Sequence, residues 1–365
     1  MTQAKYRVGI IGTGRMGGFI EDELNANQFS IPYSHFCGYQ AIEETEVVAV
    51  ANRGAERLER FAARFGCDNT YLDYREMIER EKLDIVSITT PSWARAEPII
   101  FAAENGVKGI YSEKGLCASL AEADRIRDAV KANGVAFNWG AMRRHHDGFK
   151  QLRDMLADGA IGQLRYAFMF SYTDIIKHHP HTIDLVAMLL GDKTPQWVEG
   201  RFDPGTADQV AQRPRAYAPY DAASHSFPPP EGEEIADPMV DFFRVGFEGG
   251  AEGHFIPMPG LFDVEVYGTE GRAYAWDNGE TIRVRRGGRS GRVEETMIRP
   301  GGDSPTVSTI RNIIQQLETG EETAGNIDIT MQSVEVQFAM AHSHLQEGRR
   351  VEVPVADRSL YIPGG

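Results

Sequence analysis

Tyr6-Arg7-Val8-Gly9-Ile10-Ile11-Gly12-Thr13-Gly14-Arg15-Met16-Gly17 decides the fold. A short apolar run bounded by glycine reads as a buried parallel strand, and the G-x-G-x-x-G after it opens an apparent helix. In that context the glycines permit a tight turn and bring a pyrophosphate close to the helix N-terminus, where unpaired N–H groups face the anion. Gly12, Thr13, Gly14, Arg15 and Met16 are therefore expected to hold a dinucleotide. The next strand, Glu46 to Ala51, ends in Asn52-Arg53 instead of the acid that binds ribose hydroxyls in such units, and it arrives about twenty residues late. Asn52 can still bond ribose, while Arg53 can meet a 2′-phosphate or pack on adenine, so NAD and NADP are both admitted. The extra segment, Asn25 to Gln40, reads as a loop bordering cofactor or substrate.

Working outward, the alternation is regular. A helix carries Leu58, Phe61 and Phe65 on one face, and Asp73-x-x-Glu76 resembles a capping box for another. Leu83 to Thr89 is a strand running into Thr90-Pro91. The strand Val107 to Tyr111 leads into Ser112-Glu113-Lys114-Gly115. Ser119-x-x-Glu122 caps a helix, and Val135 to Trp139 is a further strand. Six strands alternating with helices make a doubly wound parallel sheet, an α/β Rossmann unit, whose ligands bind at the carboxyl edges of the strands. Lys114 sits at such an edge and is the first catalytic candidate, with Glu113 beside it.

The 365 residues suit two domains, expected at 1–140 and 141–365. A net charge of −15, from 38 Lys+Arg against 53 Asp+Glu, is the wrong sign for a protein that neutralises phosphate backbones, so no nucleic-acid partner is expected. Cys37, Cys67 and Cys117 are odd in number and widely spaced, which fits a reducing cytoplasm and indicates no disulfide framework. The N-terminal residues lead into a strand without an export signal, and no apolar run approaches membrane-spanning length, so no membrane association is expected.

In the second half, Leu164, Tyr166, Phe168, Phe170 and Tyr172 alternate with smaller or polar residues, which reads as a strand with an apolar core face. Lys177-His178-His179-Pro180-His181 precedes an apolar helix; without an accompanying cysteine or carboxylate set, no metal is expected. Gly200 to Pro238 is too long for an ordinary connection and reads as a lid or an oligomer contact. Six short strands from Val240 to Ile298 then suggest a large, mainly antiparallel open sheet in an α+β domain. Helices carrying Val307 to Leu317 and Met331 to Leu345 are expected to cover one face of it. The other face is left for a homo-oligomer, a dimer or tetramer.

Taken together, the glycine fingerprint, Tyr71-Leu72-Asp73-Tyr74, Thr90-Pro91, Glu113-Lys114, Gly159-Ala160-Ile161-Gly162, His181-Thr182-Ile183-Asp184 and Tyr267-Gly268-Thr269-Glu270-Gly271 resemble the Gfo/Idh/MocA family of nicotinamide-dependent oxidoreductases. The resemblance implies hydride transfer between NAD or NADP and a secondary alcohol carbon of a sugar, polyol or glycoside. It implies that Lys114 polarises the oxygen and that His181 exchanges its proton. It also places the junction carrying Arg143 and Arg144 beside the nicotinamide, within reach of substrate. Three residues depart from the pattern: Gly115 stands for proline, Arg95 for histidine, and Lys177 for the aspartate four positions before His181. Because neighbouring ammonium groups disfavour one another's charge, Lys177 is a further acid/base candidate or an anion binder, with Tyr172, Asp174 and His178 nearby. Two other readings stay open. One is a redox-neutral glycoside hydrolase that oxidises its sugar transiently and eliminates the aglycone; the other is a dinucleotide-binding sensor without turnover.

Overall fold

The computed structural model describes residues 5–24, 30–205, 237–260, 262–287 and 293–364. The first sheet is built from β1 (Tyr6–Ile11), β2 (Thr45–Ala51), β3 (Thr70–Tyr71), β4 (Ile85–Ile88), β5 (Gly109–Ser112) and β6 (Ala136–Trp139). All pairings are parallel and the order is β3-β2-β1-β4-β5-β6, so the chain reverses direction across the sheet between β1 and β4. That reversal opens a crevice at the carboxyl ends of β1 and β4, where the glycine turn lies. The two-residue β3 is too short to show periodicity in the sequence.

The helices between these strands are α1 (His35–Gln40), α2 (Ala55–Phe65), α3 (Tyr74–Glu81), α4 (Ala96–Glu104) and α5 (Leu120–Ala132). Their starts follow from the sequence: Asp73 accepts the Arg75 N–H at α3, and Ser119 accepts the Glu122 N–H at α5. After the glycine turn the chain makes a wide five-residue turn, Arg15–Phe19, and a tight one, Ile20–Asp22, instead of a regular helix. The late arrival of β2 has a structural cause, because the segment read as a loop contains α1, capped by Ser34 and buried along His35, Phe36 and Tyr39. Residues 25–29 of that segment lie outside the described residues.

The second half holds α6 (Asp147–Ala157), β7 (Leu164–Phe170), α7 (His179–Leu189) and β8 (Pro195–Phe202). Then come β9 (Val240–Phe247), β10 (Glu252–Ile256), β11 (Asp263–Gly268), β12 (Gly271–Trp276), β13 (Thr281–Arg286) and β14 (Glu294–Ile298). The chain continues with α8 (Pro305–Thr319), α9 (Ile327–Leu345) and β15 (Val351–Glu352). These strands form one nine-stranded sheet, β14-β13-β12-β11-β7-β10-β9-β8-β15, antiparallel except where β7 meets β10. β8 occupies Gly200 to Phe202, the start of the stretch expected to be a lid or oligomer contact. Residues 206–236 of that stretch lie outside the described residues.

Two packing expectations are corrected. On β7 the buried side chains are Ala167 and Met169, while Tyr166 is 45% exposed and Phe168 and Phe170 are only partly covered. α7 covers the small-residue face. The aromatic row stacks instead with His254 and Tyr267 on the open face of the sheet. Helix α8 does not cover the second sheet at all: its Val307, Ile310, Ile313 and Ile314 are buried among Val8, Ile10, Val50, Ile85 and Tyr111 of the first. At about 1.5–3 kcal/mol per buried aliphatic side chain, that stripe is a major contribution to the first sheet's stability. α9 packs on β8, α7 and α5, as a cover for the second sheet should, and bridges to the first half.

Candidate active site

The crevice is a cavity of about 650 Å³ that runs from the glycine turn past Asn52 and Arg53 to Thr90-Pro91 and Lys114. Gly12 has φ +102°, and a Cβ there would lie 2.6 Å from Thr89 Oγ1, so the turn admits no larger residue. Gly14 faces open space with nothing within 4 Å, which leaves backbone bare to a ligand; Thr13 Oγ1 is buried beneath the turn without a partner. An anionic group approaching that bare backbone fits the donors present. Of the expected cofactor residues, Gly12, Gly14, Arg15, Met16, Asn52, Arg53, Thr90, Pro91, Glu113 and Lys114 all line the cavity. At its outer end Asn52 Nδ2 donates to the Gly54 carbonyl at 3.3 Å and Arg53 lies over the Trp93 ring at 5.5 Å. Arg57, one turn into α2, joins them there and had no signal in the sequence.

At the inner end, β5 presents Glu113 and Lys114. Burial lowers the Lys114 ammonium's pKa, Glu113 opposes that, and Arg95 and Lys177 reinforce it. The Glu113 carboxylate accepts the Lys114 N–H at 3.1 Å and meets His35 Nε2 at 3.2 Å; His35 Nδ1 lies 2.6 Å from Ser87 Oγ. An ionised carboxylate only accepts, so Nε2 carries the proton and Nδ1 accepts from Ser87. Burial alone would raise the Glu113 carboxyl, but the His35 hydrogen bond and the Lys114 and Arg95 charges hold it at about 2. Ser-His-Glu in this order has the connectivity of a hydrolase triad, yet Ser87 is wholly buried in the sheet. The chain of bonds instead anchors Lys114 from below. His35→Ala should cost about 3 kcal/mol in denaturant unfolding, by leaving buried Glu113 and Ser87 short of a partner, with partial recovery in His35→Gln. Unchanged stability in His35→Ala would contradict that anchoring.

Arg95 is buried and donates to the carbonyls of Thr90 and Gly115, so it ties the Thr90-Pro91 turn to the turn after Lys114. His181, the third residue of α7, is 6% exposed; its Nδ1 has no partner, and its ring meets Phe262 edge-on at 5.7 Å. Its pKa is held well below the imidazole value, by burial first and then by Arg143, Lys114 and His178. Burial and the neighbouring cations thus both favour the neutral imidazole. The other two histidines have separate partners. His178 Nδ1 pairs with Asp174 at 3.0 Å, and buried His179 bonds Thr182 at 2.8 Å.

Lys177 lines the cavity beside Lys114. Behind it Asp237, invisible to sequence reasoning because it comes from the segment just ahead of β9, accepts the Ile176 and Lys177 N–H groups at 2.8 and 3.2 Å. Burial and the nearby Asp174 push the Asp237 carboxyl up to about 8. Asp174 itself is lowered: burial acts against ionisation, but the His178 bond and the charges around it prevail. Tyr172, expected near substrate, is 45% exposed and donates its hydroxyl to Asp203.

Arg144 requires a correction. Its guanidinium is fully buried, and each of its three nitrogens donates to Asp184 or Asp192 at 2.8 to 3.1 Å, so its charge is already paired with two carboxylates. Arg143, by contrast, donates Nε to Asn278 Oδ1 at 2.8 Å and lies 3.2 Å over the Phe262 ring, while Nη1 is buried with no partner.

Residues 6–141 match the model of an oxidoreductase family with an NAD-binding Rossmann fold, Gfo/Idh/MocA. Over 124 residues the chain is 36% identical to a dTDP-3,4-didehydro-2,6-dideoxy-alpha-D-glucose 3-reductase of Saccharopolyspora spinosa, covering 34% of this chain and 37% of that protein. Over 157 residues it is 26% identical to a myo-inositol 2-dehydrogenase of Thermotoga maritima, covering 43% and 42%. The chain thus spans 37% and 42% of the length of these two curated relatives. A levoglucosan dehydrogenase solved with NADH and levoglucosan shares the fold over 96% of this chain and 100% of its own, with TM-score 0.76 at 19% identity.

Proposed function

We infer, from the match of residues 6–141 to the model of the Gfo/Idh/MocA oxidoreductases with an NAD-binding Rossmann fold, that the protein transfers hydride between a nicotinamide dinucleotide and a secondary alcohol carbon of a sugar, polyol or glycoside. The observation that carries this reading is Lys114 at the inner end of a cavity that begins at the glycine turn, with buried His181 near enough for the Lys114 charge to lower its pKa. A bound nicotinamide would supply the hydride carrier. Lys114 donates a hydrogen bond to the substrate oxygen and favours negative charge on it; the His181 imidazole takes the hydroxyl proton during oxidation and returns it during reduction. Glu113, His35 and Arg95 hold Lys114 in place. The open aromatic face of the second sheet supports assembly with further copies of the chain.

Among the residues lining the outer end, no carboxylate stands beside Asn52, Arg53 and Arg57 to repel a 2′-phosphate. NADP is therefore expected to bind no more weakly than NAD when both are titrated against intrinsic fluorescence. A preference for NAD of about a hundredfold would overturn this. The reaction itself is tested by offering polyols, sugars and glycosides with each dinucleotide and following nicotinamide absorbance.

The redox-neutral hydrolase reading is favoured by one feature, the Asp174–Asp237 pair beside Lys177, which adds acid/base groups that plain oxidation does not need. It expects aglycone release with catalytic dinucleotide and exchange of a ring proton with solvent deuterium; stoichiometric reduced dinucleotide with intact glycoside excludes it. A sensor would need neither Lys114 nor His181 in this arrangement.

A further inference from the structure

We propose that the substrate is an acid, a hexuronate or aldonate whose carboxylate is received by Arg143 and Lys177 beside His181. The proposal rests on the dehydrogenase reading for the placement of the reacting carbon, and on three separate observations for the charge.

The first is Arg143 itself. It is 5% exposed, and among the described residues no carboxylate pairs with it, although its neighbour Arg144 has two. Its contacts are the Asn278 side chain, the Phe262 ring and the Tyr33 phenol, and burial lowers its pKa to about 10. Taking a guanidinium out of water without an anion costs several kcal/mol, a cost that a carboxylate bound at the free Nη1 would offset.

The second is direction. Phe262 is shared: Arg143 lies on its face and His181 meets its edge, and the Arg143 charge acts on His181 more strongly than any other neighbour's. Both side chains thus pack on one ring and each carries a buried nitrogen without a partner, so an anion at Arg143 would lie next to His181.

The third is the reversed sign at position 177. Where the resemblance leads one to expect an aspartate, a lysine lines the cavity; Asp174 nearby pairs with His178 and also feels the Lys177 charge, and Asp237 accepts from the backbone of Ile176 and Lys177. In a chain of net charge −15 this concentration of Lys114, Lys177 and Arg143 is a local arrangement, not the expression of a basic protein.

The experiment compares matched pairs with the dinucleotide present: D-glucuronate with D-glucose, D-galacturonate with D-galactose, and D-gluconate with D-glucitol. The acid of at least one pair should have the higher kcat/KM by about a hundredfold. Arg143→Gln should lower kcat/KM for that acid at least about tenfold more than for its neutral partner; Lys177→Met, at a less buried position, provides the same comparison if Arg143→Gln does not fold. Equal use of acid and neutral partner, preference for the corresponding sugar phosphate, or equal losses for both partners in the variants would overturn the proposal. Thermal shift separates it from the reading beneath it. Stabilisation of the wild type by an acid, lost in the variants and without any hydride transfer, upholds anion recognition while the dehydrogenase reading fails. Turnover of neutral polyols with no acid bound does the reverse.

Discussion

Lys114→Ala is expected to lower kcat by about 10²–10⁴-fold while changing dinucleotide affinity by less than about tenfold. The side chain reaches the inner end of the cavity, whereas the pyrophosphate donors belong to the glycine turn on β1, a different strand. Its role is to favour negative charge on the substrate oxygen, which matters most as the C–H bond breaks, so the loss belongs in kcat. The pH dependence follows from the two shifts. His181 is held well below the imidazole value, so it stays neutral through pH 7 and contributes no limb there. Lys114 is lowered from 10.5, so activity that needs its ammonium falls on the alkaline side, earlier than for an ordinary lysine. A flat profile through neutrality with an early alkaline decline is therefore expected. An acid limb near 6.5 that disappears in His181→Ala would show that the histidine titrates as an exposed one does, and would remove it as the standing base.

Arg144→Met is expected to cost about 3–5 kcal/mol of stability, read as a lowered denaturant midpoint. The substitution leaves Asp184, wholly buried, without the cation that its two oxygens accept from. Asp184→Asn should be similarly damaging from the other side, because a guanidinium would then face a neutral amide. If Arg144→Met instead raised KM with stability intact, Arg144 would be a substrate ligand after all. The two neighbours thus separate cleanly: Arg144 is paired with two carboxylates, and Arg143 has a buried Nη1 without a partner.

The glycine turn was legible because the spacing of Gly12, Gly14 and Gly17 is local, although what crowds Gly12 is Thr89, 77 residues away. Helix starts were legible for the same reason, as at Asp73 and Ser119. Contacts made across long sequence separations were not. Periodicity showed that α8 has an apolar stripe but not which sheet the stripe meets, and it showed two faces on β7 without saying that the aromatic one is open. The pairing of Arg144 depends on Asp184 and Asp192, 40 and 48 residues away, and His35 reaches Glu113 across 78. Asp237 stands next to Lys177 only because Ile175 and Val240 bond across to Pro238 and Thr173. Residue type and spacing can nominate a lysine or a histidine for chemistry. Whether an arginine has donors to spare depends on neighbours that only the folded chain supplies.

The place of α8 bears on how the molecule is made. Synthesis runs from the N-terminus, so β1 to β6 all leave the ribosome before Val307, Ile310, Ile313 and Ile314 exist. Through that interval Val8, Ile10, Val50, Ile85 and Tyr111 lack the apolar partner that finally shields them. The nascent first half therefore keeps that apolar surface uncovered until the last fifth of the chain arrives, and the same half excised near residue 140 is expected to aggregate instead of serving as a portable coenzyme module.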